Sequence, residues 1–263
     1  MRVQGFDIDI LVQGFPGKTV CHGGLGWSTV VLLRGQGRVA LIDTGAFNMR
    51  RLILDQLARR DLTSHDVTDV LLTHAHYDHS INWIMFAKAC VTIGATELTW
   101  AAAQPIGHAL VPELYIRDLA TSRQLRVVGD GEEVFPGLTA HAAPGHTPGH
   151  LIFHLSTPQR DVIFTGDAAK NRAELLTRTA DMTMDEDASA QSFARIWDIW
   201  RRRQDTILVP GHDIPMVLEG GIPMYIEERR AGITAWLDDD LETTTLFELK
   251  PAEPPARRAT SRR

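Results

Sequence analysis

The segment Thr73-His74-Ala75-His76-Tyr77-Asp78-His79 packs three imidazoles and a carboxylate into its last six positions. Nitrogen and oxygen donors of this kind suit zinc or iron. The segment follows the apolar run Val70–Leu72, which has the length and β-branched character of a strand. On an extended chain His74 and His76, two apart, point the same way and can clamp one ion. Asp78 and His79 come where the chain turns toward a helix expected over Ile81–Ala87, and can aim at a neighbouring ion. Two more histidines stand in short Gly-Pro loops, Pro144-Gly145-His146 and Pro210-Gly211-His212, and Thr165-Gly166-Asp167 closes the run Val162–Phe164. Any one of these in isolation reads as a turn or a satisfied core residue. Together, each at the point where a strand empties into a loop, they point to a metal centre.

The elements that must position these donors are legible in the hydrophobic pattern. Short apolar runs at Phe6–Val12, Thr29–Leu33, Val39–Ile42, Val91–Ile93, Leu151–Leu155 and Ile207–Val209 read as further strands. Helical spacing marks Met49–Arg59 and Ala188–Arg203, and a last helix is expected through Met224–Leu237. The aromatic stripe Phe193, Trp197 and Trp200 reads as core packing. Strand and helix alternate in the first half, and the stretch from Leu125 to Phe164 is strand after strand. That mixture predicts an α/β (α+β) architecture of sheets covered by helices.

The chain has 263 residues and two cysteines, Cys21 and Cys90, so it can build a core without a disulfide framework. No apolar run is long enough to span a membrane and the amino terminus lacks a signal-like apolar stretch, which predicts a cytoplasmic protein. The segment Pro251–Arg263 holds four Arg and one Glu, so a formal net charge of −6 leaves −9 on the body. An acidic body is a poor partner for nucleic acid. One domain over 1–248 is expected, followed by a basic, disordered tail over 249–263.

The order His-x-His-x-Asp-His, His, Asp, His resembles the metallo-β-lactamase-fold hydrolase superfamily, from about Ser28 to Ile214, with Leu41-Ile42-Asp43-Thr44-Gly45 matching an early Asp-Thr-Gly turn. The resemblance implies a four-layer αββα sandwich with metals at one edge of its two sheets. It implies that His74, His76 and His146 hold one ion, that Asp78, His79 and His212 hold a second, and that Asp167 bridges them. Asp43 would fix a ligand imidazole from behind, although a turn role is an equal alternative. His150 and His154 read as packing or support. The implied cofactor is Zn2+, two per chain, with Fe or Mn as alternatives. Two such ions share a water and lower its pKa toward neutrality. The implied activity is therefore that of a binuclear hydrolase, a bridging hydroxide cleaving a small ester, lactone, thioester or amide, with Asp78 or the hydroxide handling the proton.

Departures from individual families narrow this. Asp167 stands where zinc β-lactamases commonly carry Cys or Ser, and His76 where flavodiiron proteins carry Glu. Acyl-homoserine lactonases are similar around His74–His79, but many place a Tyr soon after the bridging Asp; here Ala168-Ala169-Lys170-Asn171 follows. Lys170 or Asn171 could substitute, and His22 or Trp27, in a Gly-rich loop, could touch substrate. Glyoxalase II-like thioesterases share the seven positions but carry basic residues that only Arg229 and Arg230 approach. A phosphodiesterase or ribonuclease of the same fold and a mono-iron persulfide dioxygenase remain the alternative activities. The expected partner is a small molecule, and a homodimer is allowed.

Overall fold

The structure is a computed structural model, and it describes residues 1–19 and 23–250. The chain divides into two compact units, Met1–Glu227 and Glu228–Arg263. The expected contact residue His22, Cys21 and nearly all of the expected tail lie outside the described residues.

The first unit holds two seven-stranded sheets. One runs in the order Arg2–Val3, Phe6–Val12, Val30–Gly35, Arg38–Ile42, Asp69–Leu71, Cys90–Gly94 and Leu125–Val128. The other runs Glu133–Phe135, Leu138–Ala142, Leu151–Ser156, Asp161–Gly166, Ile207–Pro210, Met216–Glu219 and Ile222–Tyr225. The apolar runs are continuous because both faces of the central strands are covered. Val31, Leu33, Ile42 and Leu71 meet Phe153, Leu155, Val162 and Val209 in the cluster between the sheets. Their neighbours alternate outward: Val30, Leu32, Leu41 and Val70 pack beneath the helices on one side. Ile152, Ile163 and Leu208 do the same on the other.

The helix Arg50–Ala58 seats Ile53 and Leu57 on the first sheet, while Leu52 is exposed. The helix Glu186–Arg202 seats Phe193, Ile196, Trp197 and Trp200 on the second, as its stripe predicted. Asp185 caps it by accepting the Ala188 N–H at 2.9 Å. The layers are therefore helix, sheet, sheet, helix, the sandwich expected from the sequence. No helix among the described residues is long and apolar enough to cross a membrane.

Two expected elements are different. The helix expected over Ile81–Ala87 is a helical turn, Tyr77–Ser80, followed by a short 3-10 helix, Ile81–Met85. No helix spans Met224–Leu237. Ile222–Tyr225 instead pairs antiparallel with Met216–Glu219 through a two-residue turn, Gly220-Gly221, at φ 57° and 81°. Two glycines with positive φ between apolar runs make a tight hairpin, which commits Ile222–Tyr225 to the sheet. In the second unit Gly232–Ala235 pairs with Thr245–Glu248.

Candidate metal centre

Three parallel strands deliver donors at their carboxyl ends: Asp69–Leu71 leads into Thr73–His79, Asp161–Gly166 into Asp167, and Ile207–Pro210 into His212. The loop before Leu151–Ser156 supplies His146. A backbone bond from Leu151 N–H to the Thr73 carbonyl (2.8 Å) ties the two halves together beside the site.

All seven expected donors come together. The ligand atoms of His74, His76 and His146, of His74, His79 and Asp167, and of Asp78, His79 and His212 form three groups, each within 4.8 Å. Asp167 stands in the middle. Its Oδ1 is 3.2 Å from Nε2 of both His79 and His212, and its Oδ2 is 3.3 Å from Nε2 of His146. Asp78 Oδ2 is 3.4 Å from His212 Nε2 and 3.5 Å from His79 Nε2. It is the most exposed of the seven, at the open side of the cluster.

The surroundings dictate which ring nitrogens carry protons. The hydroxyl of Thr73 donates its one proton to Asp43 Oδ2 (2.8 Å), so it can only accept from His74 Nδ1, 3.0 Å away. His74 Nε2 is thereby left with a lone pair, buried and without a hydrogen-bond partner. The Met182 carbonyl, 2.8 Å from His146 Nδ1, can only accept as well, which turns the lone pair on His146 Nε2 inward. Asp43 Oδ2 also faces His79 Nδ1 at 2.8 Å, so the support role open to Asp43 has a hydrogen bond behind it. His150, read as packing or support, stacks on His74 with ring centroids 4.8 Å apart and accepts the Asp167 N–H on Nε2 (3.0 Å).

The charge states divide in two. Burial, assisted by the neighbouring imidazoles, holds His74 and His150 well below the usual histidine range. Burial also pulls His76 down to about 4 and His146 to about 3 against the opposing pull of Asp167. For His79 burial acts the same way, but Asp167, Asp78 and Asp43 outweigh it and raise the group well above its ordinary value. His212 is raised likewise by Asp167 and Asp78. Asp167 resists the upward push of burial because His212, His79 and His146 hold it well below the carboxylate range. Neutral nitrogens with inward lone pairs on one side, and carboxylates that need cationic neighbours on the other, make a donor set that fits divalent metal ions.

Of the expected substrate contacts, Trp27 is half-buried, stacked on Phe15 with centroids 4.9 Å apart and bonded through Nε1 to the Gln13 carbonyl (2.8 Å). Its neighbour Ser28 donates to the Asp78 carbonyl at the edge of the centre. Lys170 pairs with Glu174 at 2.9 Å and donates to the Asp181 carbonyl. Asn171 caps the helix Arg172–Thr177, its Oδ1 accepting the Glu174 N–H at 3.1 Å. Sequence reasoning missed two supports. The Met182 carbonyl carries no side-chain signal at all. Glu97, buried, accepts the N–H groups of Ala75 and Gly149, and burial lifts its carboxyl to about 7. An acidic residue in the first turn of a helix is too common to have singled it out.

The family model described as the metallo-beta-lactamase superfamily matches residues 23–212. N-acyl homoserine lactonase AiiA of Bacillus thuringiensis subsp. kurstaki is 24% identical over 164 residues, which is 62% of this chain and 62% of that protein. Hydroxyacylglutathione hydrolase of Pseudomonas syringae pv. syringae (strain B728a) is 30% identical over 101 residues, 38% of this chain and 33% of that protein. The chain thus spans less than two thirds of the length of these curated relatives. An N-acyl homoserine lactone hydrolase, solved with N-hexanoyl-L-homoserine at its catalytic metal centre, superposes with a TM-score of 0.64 at 20% identity, over 81% of this chain and 95% of that one. AidC, a dizinc quorum-quenching lactonase, superposes with a TM-score of 0.63 at 17% identity, over 86% and 92%. At these identities the likeness establishes the fold.

Proposed function

The chain belongs to the metallo-β-lactamase superfamily, and from that premise we propose that it is a metal-dependent hydrolase with a binuclear centre, acting on a small ester, lactone, thioester or amide. The observation that carries the reading is the Asp167 carboxylate lying between the Nε2 atoms of His79, His146 and His212 while His74 Nε2 lies orphaned beside it. In this reading His74, His76 and His146 would hold one ion, Asp78, His79 and His212 the other, and Asp167 would serve both. Zinc suits these nitrogen and carboxylate donors. When bound, two divalent ions would supply Lewis acidity, polarising a carbonyl and making water more acidic.

The remaining work falls to the chain. Asp43, Thr73 and the Met182 carbonyl orient the ligand imidazoles, and the carboxylate of Asp78, the least buried of the seven donors, accepts the proton released as water attacks and returns it to the leaving group. The lactonase relatives favour a lactone among the four bonds, and the absence of a Tyr after Asp167 leaves the proton at Asp78 rather than at a phenol. Offered a panel that also holds a phosphodiester, zinc-loaded protein should release acid, read with a pH indicator, from one class among an acyl-homoserine lactone, a glutathione thioester, aryl esters and a cyclic amide. Hydrolysis of the phosphodiester alone, or silence with a single iron per chain, would overturn the reading.

A further inference from the structure

One carboxylate joins the loops that carry His74, His76 and His146. Glu97 sits in the first turn of the helix Ala95–Ala102 and is fully buried. Its Oε1 accepts the N–H of Ala75, the residue between the two histidines, at 2.9 Å. Its Oε2 accepts the N–H of Gly149, in the loop that carries His146, at 3.0 Å. Ala75 follows a strand of the first sheet and Gly149 precedes a strand of the second, so the carboxylate spans the two halves of the sandwich. Burying a carboxylate is costly, and among the described residues no Lys, Arg or His forms an ion pair with this one.

The approach is close by construction. A Cβ on Gly149 would come within 2.0 Å of the Glu97 nitrogen, and one on Gly94 within 2.7 Å of the Gly149 carbonyl oxygen. Two backbone donors facing one buried side chain need two acceptors. A carboxylate has them, a glutamine has one, and an apolar residue would orphan both N–H groups. The consequence is visible across the gap, where His146 Nε2 stands 3.0 Å from His76 Nδ1.

We propose that Glu97 is a positioning residue for the ion held by His74, His76 and His146: it fixes the separation of the two loops that supply those imidazoles, so metal affinity depends on it. The proposal rests on the metal-centre reading above. It acts through backbone rather than through ligand side chains.

The test is a zinc titration in competition with a chromophoric chelator, with urea unfolding of the metal-free protein alongside. The variants are Glu97→Gln and a control, Asp69→Asn. Asp69 is also buried, at the start of the strand Asp69–Leu71, but its carboxylate holds Arg38 at 2.8 Å. Glu97→Gln should weaken the affected site about tenfold or more, toward one zinc per chain. Asp69→Asn should lower the urea midpoint and leave zinc affinity unchanged. Wild-type affinity in a folded Glu97→Gln protein overturns the proposal, whereas a wild-type chain that takes up no zinc overturns the metal-centre reading instead. If Glu97→Gln does not fold, Glu97→Asp retains both acceptors at shorter reach and should show a smaller loss; wild-type affinity in it overturns the proposal equally. If neither variant folds, amide exchange of Ala75 and Gly149 in the wild-type chain decides: slowing on zinc addition supports the clamp, and no change overturns it.

Discussion

Asp43 Oδ2 lies 2.8 Å from His79 Nδ1, reaching from the end of one parallel strand to the helical turn that follows the next. The same carboxylate takes the N–H and the hydroxyl of Thr73, each at 2.8 Å, and its backbone holds φ at 56°. A non-glycine residue in that region is uncommon, and Asp and Asn tolerate it best. Asp43→Asn therefore keeps the turn but presents an NH2 to two donors. Zinc affinity is expected to fall about 10–100-fold with little loss of fold, measured by chelator competition and circular dichroism. Unaltered affinity would show that the contact orients nothing.

His76 and Asp167 should both be indispensable. His76→Ala and Asp167→Ala are expected to reduce turnover to background and lower zinc content while the chain stays folded. Metal analysis of the purified variants, beside the activity assay, checks this, and full activity in either one removes the ligand assignment.

Gly211 guards the position of Asp167. A Cβ there would meet Asp167 Oδ1 at 2.4 Å and the Gly166 carbonyl oxygen at 2.5 Å. Gly211→Ala should displace the carboxylate and lower zinc content even though no donor is removed. Unchanged metal content and activity would mean the loop yields without moving Asp167.

Asn171 offers a contrast between capping and catalysis. As a cap, its loss in Asn171→Ala should cost about 1 kcal/mol, seen as a drop of a few degrees in Tm, with KM unchanged. A raised KM at constant stability would return it to the substrate site.

The metal-free protein should be acid-labile. His76 drops from 6.5 to about 4 on folding, so between those values the unfolded chain binds the proton and the folded chain does not. Stability is then lost as pH falls from about 6.5 toward 4, on the order of 3 kcal/mol from this group. His146, at about 3, extends the loss further down. His79 and His212, raised instead, lend stability that is full below 6.5 and fades as pH rises, so they do not offset the acid loss. Glu97, lifted from 4.5 to about 7, works the other way, gaining stability as pH falls between those values and offsetting part of the imidazole loss. Urea midpoints in chelator should therefore fall gently above about 4.5 and more steeply below it, and bound zinc should shift the fall to lower pH. A flat profile in chelator would contradict the buried, neutral imidazoles.

The sequence by itself determined the donors and the strands that deliver them. Side-chain type and two-residue spacing are local properties, so His74, His76, Asp78 and His79 were visible at the end of an apolar run. The continuous runs around Leu32, Leu41 and Ile163 marked strands covered on both faces for the same reason. A hairpin was also written in Gly220-Gly221, although the apolar residues beyond it read as a helix. What the tertiary structure decided is everything that depends on approach between distant segments. The carbonyl of Met182 beneath His146, the hold of Asp43 on the Thr73 N–H, and the reach of Glu97 to both Ala75 and Gly149 are long-range contacts to backbone groups. Backbone groups are the same in every residue, so no sequence pattern marks which of them will meet; only packing of the two sheets brings them into range.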